Sequence, residues 1–344
     1  MDKFEKIKAA IRGESLEEIP ISLWHHFPRD DLKAERLVEK AMAFQERFDS
    51  DFMKFSPSGA YPYLAFGAEV EYYTSMEEEI RALGVYNGVS KVTKLRINSP
   101  DDWEALEEVD INEGILGEML RAVKLVGKKL DGRVPFIETM FSPMTTCQRL
   151  AGERWRKDLD DAPEKVGQAL DVISRTMAKF SKAAIDYGAS GIFLSVTPTR
   201  DWLTEDEYRR FGMTYDLPIL EATKPKAWFN VAHVHGSNIM FDLVAENYLV
   251  DGVNWSDQTT PPSLKEATKK FSGVLIGGLN ENETLLKGSP KDVEEEVIHS
   301  IEATGGRHLI LAPGCVIPLN APETNLDAAI RAARSYRRRR TSST

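Results

Sequence analysis

The sequence predicts an α/β protein folded as a single (β/α)8 TIM barrel. Three observations lead there: short apolar runs, amphipathic stretches between them, and histidines and a cysteine gathered at the C-terminal ends of the runs. Strands buried on both faces of a parallel sheet read as near-continuous apolar runs rather than alternating ones. Eight such runs interleaved with helices are the pattern of a barrel. The competitor, a doubly wound open sheet, would carry a Gly-x-Gly-x-x-Gly turn after its first strand, and the chain has none there.

The first run is 19–24 (Ile-Pro-Ile-Ser-Leu-Trp), followed by a helical stretch from about 31 to 48. The second is 52–56 and the third 135–141. The fourth, 191–196, leads to Leu203-Thr-Glu-Asp-Glu207, where Thr204 with Glu207 three residues on gives a capping-box start for a helix. The fifth run is 227–234, the sixth 252–255, the seventh 273–279 and the eighth 308–312. Amphipathic helices are expected over 164–187, 239–247, 263–271 and 290–304, with 325–336 closing the chain. Residues 70–96 break the alternation and read as an excursion with short strands, an insertion after the second run placed near the barrel mouth. One domain is expected over 1–340, with 341–344 as a frayed tail. The arginines at 337–340 read as cations favourable to a helix C-terminus rather than as a recognition tail.

Composition narrows the function. A hydrophobic fraction of 42% supports a large core, and a net charge of −10 argues against nucleic acid as a partner, which needs a basic surface. Two cysteines, Cys147 and Cys315, imply no disulfide framework and point to a reducing cytoplasm. The N-terminus lacks the apolar region of a signal peptide, and no apolar stretch approaches the roughly 20 residues of a membrane span.

Chemistry in such a barrel sits at the C-terminal ends of the strands. Those ends carry His25 and His26 after the first run, then Ser56, Ser58 and Tyr61 after the second. Met140 and Phe141 end the third, and Ser195 and Thr197 stand near the end of the fourth. His233 and His235 end the fifth, Trp255 and Asp257 follow the sixth, Asn280 the seventh and Cys315 the eighth. Taken singly, a histidine there is usually a hydrogen-bonding residue, and a cysteine in Ala-Pro-Gly-Cys-Val-Ile-Pro a small core residue. Four of the six histidines and one of the two cysteines at these ends make the grouping informative. Residues i and i+2 of a strand share a face, so His233 and His235 can converge; His25 and His26 are adjacent, so at most one faces the pocket. Two imidazoles and a thiolate form a ligand set for zinc that leaves a coordination position open.

His233-Val-His-Gly236, Gly277-Gly-Leu-Asn280 and the run Leu311-Ala-Pro-Gly-Cys-Val-Ile-Pro-Leu-Asn-Ala-Pro-Glu-Thr-Asn325 carry a family resemblance, together with the second-run region 49–70. The chain resembles the uroporphyrinogen decarboxylase superfamily, which holds both haem-pathway decarboxylases and corrinoid-linked methyltransferases. The decarboxylases carry an arginine-rich motif that grips substrate carboxylates; here Leu23-Trp-His-His-Phe-Pro-Arg29 offers only Arg29. They also use an aspartate in a Phe-Ser-Asp motif, where this chain reads Phe55-Ser-Pro-Ser58. The methyltransferase branch uses zinc on a His-x-Cys pair with a distant Gly-Cys. His233 and Cys315 match that pattern, and His235 stands in place of its middle cysteine.

The resemblance therefore implies zinc on His233, His235 and Cys315. It implies methyl transfer between a small methylated substrate, or methylcobalamin on a partner protein, and a thiol-type acceptor. Asp257 and Asn280 are expected to orient ligands, with His25, Tyr61, Phe141 and Trp255 against the substrate. The chain has no Asp-x-His-x-x-Gly cobalamin signature, so the corrinoid is expected on a separate protein. A homodimer is the superfamily's common habit. Three other readings stand beside this one: a metal-free decarboxylase using Arg29 or Arg200, a zinc lyase or hydrolase, and a catalytically silent binding protein.

Overall fold

The computed structural model describes residues 1–336, so the arginine run and the tail at 341–344 lie outside the described residues. Strands in chain order are β1 (Met53–Phe55), β2 (Glu69–Tyr72), β3 (Ser90–Lys94), β4 (Phe136–Phe141), β5 (Gly191–Val196), β6 (Val231–Val234), β7 (Gly252–Asn254), β8 (Val274–Leu279) and β9 (Leu309–Pro313). Seven of them form one parallel sheet in the order β1-β4-β5-β6-β7-β8-β9, curled in the manner of a TIM barrel. Each strand follows a crossover through helix, as parallel neighbours require.

The first expected strand is a correction. Residues 19–24 form no strand, only a single parallel bridge from Ile21 to Leu311 of β9. Pro20 has no N–H to give to a ladder. The N–H groups of Ile21 and Leu23 go instead to side chains, Asp51 Oδ2 at 2.9 Å and Ser50 Oγ at 3.1 Å. Around the bridge, the Leu311 N–H reaches Pro20 O at 2.8 Å and the Asp51 N–H reaches Ile21 O at 2.8 Å. The segment thus lies between β9 and the approach to β1 without becoming an eighth strand.

The excursion contains β2 and β3, which pair antiparallel with the helix Met76–Leu83 between them. The capping box of Thr204 and Glu207 forms as read, but its helix, Glu205–Tyr208, passes at once into a π-helical turn at Arg209–Met213. The helix expected over 263–271 shrinks to Leu264–Ala267. Longer ones arise at Pro163–Asp186 and Gly114–Leu130, the second in a stretch not singled out from the sequence. Among the described residues no helix is long and apolar enough to cross a membrane.

Two apolar clusters result. The larger fills the space between sheet and helices; the smaller lies on the sheet's inner face and contains Phe52, Ile137, Phe193, Val231, Ile276 and Ile310. The helix Lys3–Ile11 supplies Ile7 and Ala10 to that inner cluster. It also lays Phe4 against Trp228, just before β6, with ring centroids 5.8 Å apart. The N-terminal end of the sheet is therefore plugged, and the inner face opens at the C-terminal ends. Ile7→Ala is expected to lower stability by about 2–4 kcal/mol, because Ile7 is fully buried in the inner cluster and its truncation leaves a cavity there. Denaturant unfolding measures this, and no change would mean that the helix is not a plug.

Candidate metal centre

Alternation along β6 decides which of its side chains reach the interior. Val231 belongs to the inner cluster, so His233 and His235, two and four residues on, point the same way. Cys315 stands just beyond β9. The ligand atoms of His233, His235 and Cys315 all lie within 4.8 Å of one another. His233 is buried, Cys315 half-buried, and His235 keeps an exposed face toward the open end. Although His235 is past the end of β6, its N–H still bonds Val196 O at 2.9 Å, so its backbone continues the ladder. Gly314 lets the chain turn into Cys315: a Cβ there would sit 2.5 Å from Ser256 Cα.

One hydrogen bond fixes the chemistry of His233. Its Nδ1 lies 2.6 Å from Asn254 Oδ1, and the two residues are register partners on β6 and β7. The Asn254 amide nitrogen donates to Ile276 O at 2.8 Å and to Pro313 O at 3.1 Å. Both N–H groups being taken, the amide cannot flip, and Oδ1 must accept. The proton of His233 is therefore on Nδ1, and Nε2 presents its lone pair. A nitrogen, nitrogen and sulfur donor set held this way fits zinc with one position left for substrate.

Electrostatics around the triad agree with ligand duty. Surrounding protein and then the Arg149 charge pull the His235 pKa below its usual value, opposed by Glu281, a shift in the direction of the neutral ring that a ligand needs. Glu281 is buried, and its Oε2 accepts from the Gly314 N–H at 3.1 Å, which ties the Cys315 turn to the end of β8. Burial raises the Glu281 carboxyl, opposed by its backbone hydrogen bonds and by His235. Lys54 of β1 also points inward; its Nζ donates to Ser56 Oγ at 2.9 Å and lies 4.7 Å from the centroid of the Phe193 ring. Burial pulls Lys54 down to about 8, opposed by the charges of Cys315 and Glu138. His26 is drawn down to about 3, first by burial and then by Lys54 and His25.

Other expected site residues fall elsewhere. His25 packs in an aromatic group, 4.4 Å from the Phe44 ring centroid and 4.6 Å from that of Phe27, while His26 is the member of the pair beside Lys54. Tyr61 is fully buried, stacked on Phe180 with its hydroxyl donating to Thr139 O at 3.2 Å. Trp255 is fully buried too, packed on Phe241 and donating to Pro262 O at 2.8 Å. Phe141 is half-buried at the end of β4, against Tyr61. The ring beside the triad is instead Phe193, stacked on His233, with Trp24 packed edge-on against Phe193. Asp257 accepts from the Gly278 N–H at 2.8 Å and from Gln258 at 2.7 Å. Asn280 Oδ1 accepts from the N–H groups of Asn282 and Glu283. Neither bonds the His233 ring; that partner is Asn254. Arg200 is engaged with Ile239 O and Glu205, and Arg29 turns toward Tyr73 O.

Comparison with known proteins follows the same lines. The chain is 25% identical to the methylcobamide:CoM methyltransferase MtbA of Methanosarcina acetivorans, over 97% of this chain and 98% of that protein. It is 26% identical to the uroporphyrinogen decarboxylase of Syntrophotalea carbinolica, over 66% of this chain and 67% of that protein. Among solved structures, a methyltransferase from Methanosarcina mazei shares the fold with a TM-score of 0.79 at 19% identity, covering 97% of this chain and 98% of its own. Residues 3–336 match the family described as Uroporphyrinogen decarboxylase (URO-D). With nearly its whole length matched, and its fuller-length likeness on the methyltransferase side, the chain belongs to the URO-D family.

Proposed function

We propose that this protein is a zinc-dependent methyltransferase. It moves a methyl group between a corrinoid carried by a partner protein, or a small methylated substrate, and a thiol-type acceptor. The observation that carries the proposal is the convergence of His233, His235 and Cys315 within 4.8 Å. When bound there, zinc supplies the acidity that lets a coordinated thiol lose its proton near neutral pH while staying nucleophilic. The protein's own part is orientation and exclusion of water. Asn254 holds His233 in the ligating tautomer, Glu281 holds the Cys315 turn, and Phe193 and Trp24 wall the interior. The activity for which the MtbA relative is named, methylcobamide to CoM, supports a corrinoid as the methyl carrier. The functional unit in this reading is one domain over 1–340, with residues 19–24 closing the barrel and the β2–β3 excursion standing over its mouth.

Zinc-loaded protein mixed with methylcobalamin and small thiols is expected to consume the methylcobalamin and form the matching methyl thioether. Protein that carries zinc yet methylates no thiol overturns the proposal, and CO2 release from a carboxylated substrate would then favour a decarboxylase.

A further inference from the structure

The helix Met76–Leu83 of the excursion turns its apolar stripe outward. Met76, Ile80 and Leu83 are spaced i, i+4 and i+7 and so share one face, yet they are 38%, 36% and 48% exposed. An amphipathic helix ordinarily buries such a stripe. This one is held by its acid instead: Glu79, its buried residue, accepts at Oε1 from the N–H groups of Asn87, Gly88 and Val89 at 2.9, 2.8 and 3.2 Å. Among the described residues eight large apolar side chains are exposed, and three of them lie on this helix, so the stripe is a patch and not scatter.

Beside the stripe the helix overhangs a groove of about 360 Å³ lined by Pro28, Arg29, Tyr73, Met76 and Tyr86. Tyrosine, arginine and methionine are enriched where proteins meet, and a groove of this kind takes an anchoring side chain from a partner. The groove is fastened to the open end of the barrel. Tyr86 O accepts from the N–H of Leu319, in the chain that runs on from Cys315, at 2.8 Å. The Tyr72 hydroxyl donates to Asp31, in the segment that follows 19–24. Gly88 lets the hairpin lie this close, since a Cβ there would sit 2.6 Å from Pro28 Cγ and 2.7 Å from Leu319 Cδ1. Across the open end, on the loop after β5, Trp202 is 51% exposed. That loop is bonded to the one leaving His235, the Arg200 N–H reaching Asn238 O at 2.9 Å. Apolar surface thus flanks the opening that leads to the triad, a span that suits a macromolecule.

We propose that the face of Met76, Ile80 and Leu83, with its groove, is the docking surface for the protein that carries the corrinoid. The occupant follows from the reaction. These 344 residues hold no Asp-x-His-x-x-Gly signature, so the methyl-bearing corrin comes to the opening on another protein, and a protein seated on the rim holds it there. This rests on the methyl-transfer reading.

The test compares two methyl donors on zinc-loaded protein: free methylcobalamin, and a corrinoid protein of the same source with an Asp-x-His-x-x-Gly sequence, loaded with methylcobalamin. The double variant Ile80→Glu with Leu83→Glu changes two exposed side chains, so zinc content and melting temperature should stay at wild-type values. With the loaded carrier its KM should rise about tenfold or more at unchanged kcat, while turnover of free methylcobalamin stays within about twofold. An unchanged KM for the carrier overturns the proposal. So does an equal loss with free methylcobalamin, which places the effect in the reacting centre. Sedimentation reads the rival occupant: a dimeric wild type and a monomeric double variant would make this face a contact between two copies. Calorimetric binding of the loaded carrier separates the inference from the functional reading. Binding by wild type that weakens about tenfold or more in the double variant supports the surface even where no methyl thioether forms. Methyl transfer from a carrier that binds both proteins equally removes the surface alone.

Discussion

Cys315→Ala is expected to purify with less than about a tenth of the wild-type zinc and to lose methyl transfer with it. In the proposed site the Cys315 sulfur would be the only anionic donor, since histidine ligates zinc as a neutral imidazole. Its loss leaves two neutral donors, too few for a tight zinc site. The fold should survive, because Cys315 is half-buried in a turn beyond β9 and belongs to neither apolar cluster. Cys147 is the built-in control. It is buried in the helix Pro143–Ala151, and burial raises its thiol pKa so far that it stays protonated at neutral pH. Cys147→Ala should therefore keep zinc and activity while losing some stability from the cavity it leaves. Elemental analysis of the two variants beside wild type decides the matter. Full zinc in Cys315→Ala would remove Cys315 from the site, and zinc lost equally from Cys147→Ala would make the effect a general one of folding.

Much of this site could be read from the sequence because barrel strands obey a period of two. His233-x-His235 after an apolar run gives two side chains on one face, and Gly314-Cys315 after the last run supplies the third from across the barrel. The parallel topology was legible for the same reason: strands buried on both faces leave little room for polar residues. What failed was local. Residues 19–24 read as a strand by apolarity, but Pro20 and the side chains of Ser50 and Asp51 take the place of a backbone ladder. Tyr61 and Trp255 read as pocket walls by position, whereas bulk and apolarity carry both into the layer between sheet and helices.

The positioning residues were missed for a different reason. Asn254 sits in Gly252-Val-Asn254, a run read as apolar, and its place opposite His233 exists only in the register of β6 on β7. A buried asparagine inside a parallel strand was the available signal, since such a residue needs partners. Lys54 gave the same signal in Phe52-Met-Lys54-Phe55, and Glu281 in the residue after Asn280. Asn254, Lys54 and Glu281 face the site or tie it down, whereas Glu138, equally polar and inside β4, faces the helices, and Asn230 and Asp251 bond each other before β6 and β7.

Asn254 offers the sharpest separation of site from scaffold. Asn254→Leu, close in size, removes both roles of the amide at once. The Nδ1–H of His233 loses its acceptor, so the ring is free to change tautomer and orientation, and zinc affinity should fall about 10–100-fold. Ile276 O and Pro313 O lose their donor in a buried place, which should cost about 1–3 kcal/mol of stability. Asn254→Asp divides the two effects. A carboxylate still accepts from His233, and more strongly, so zinc affinity should match or exceed wild type. It cannot donate to Ile276 O or Pro313 O, and it sets a negative charge against both, so stability should fall further than in Asn254→Leu. Competitive zinc titration and denaturant unfolding on the two variants read these quantities independently. If zinc affinity follows stability in both, Asn254 is only a strut between strands; if Asn254→Asp holds zinc while losing stability, its carbonyl is what keeps His233 ready to bind.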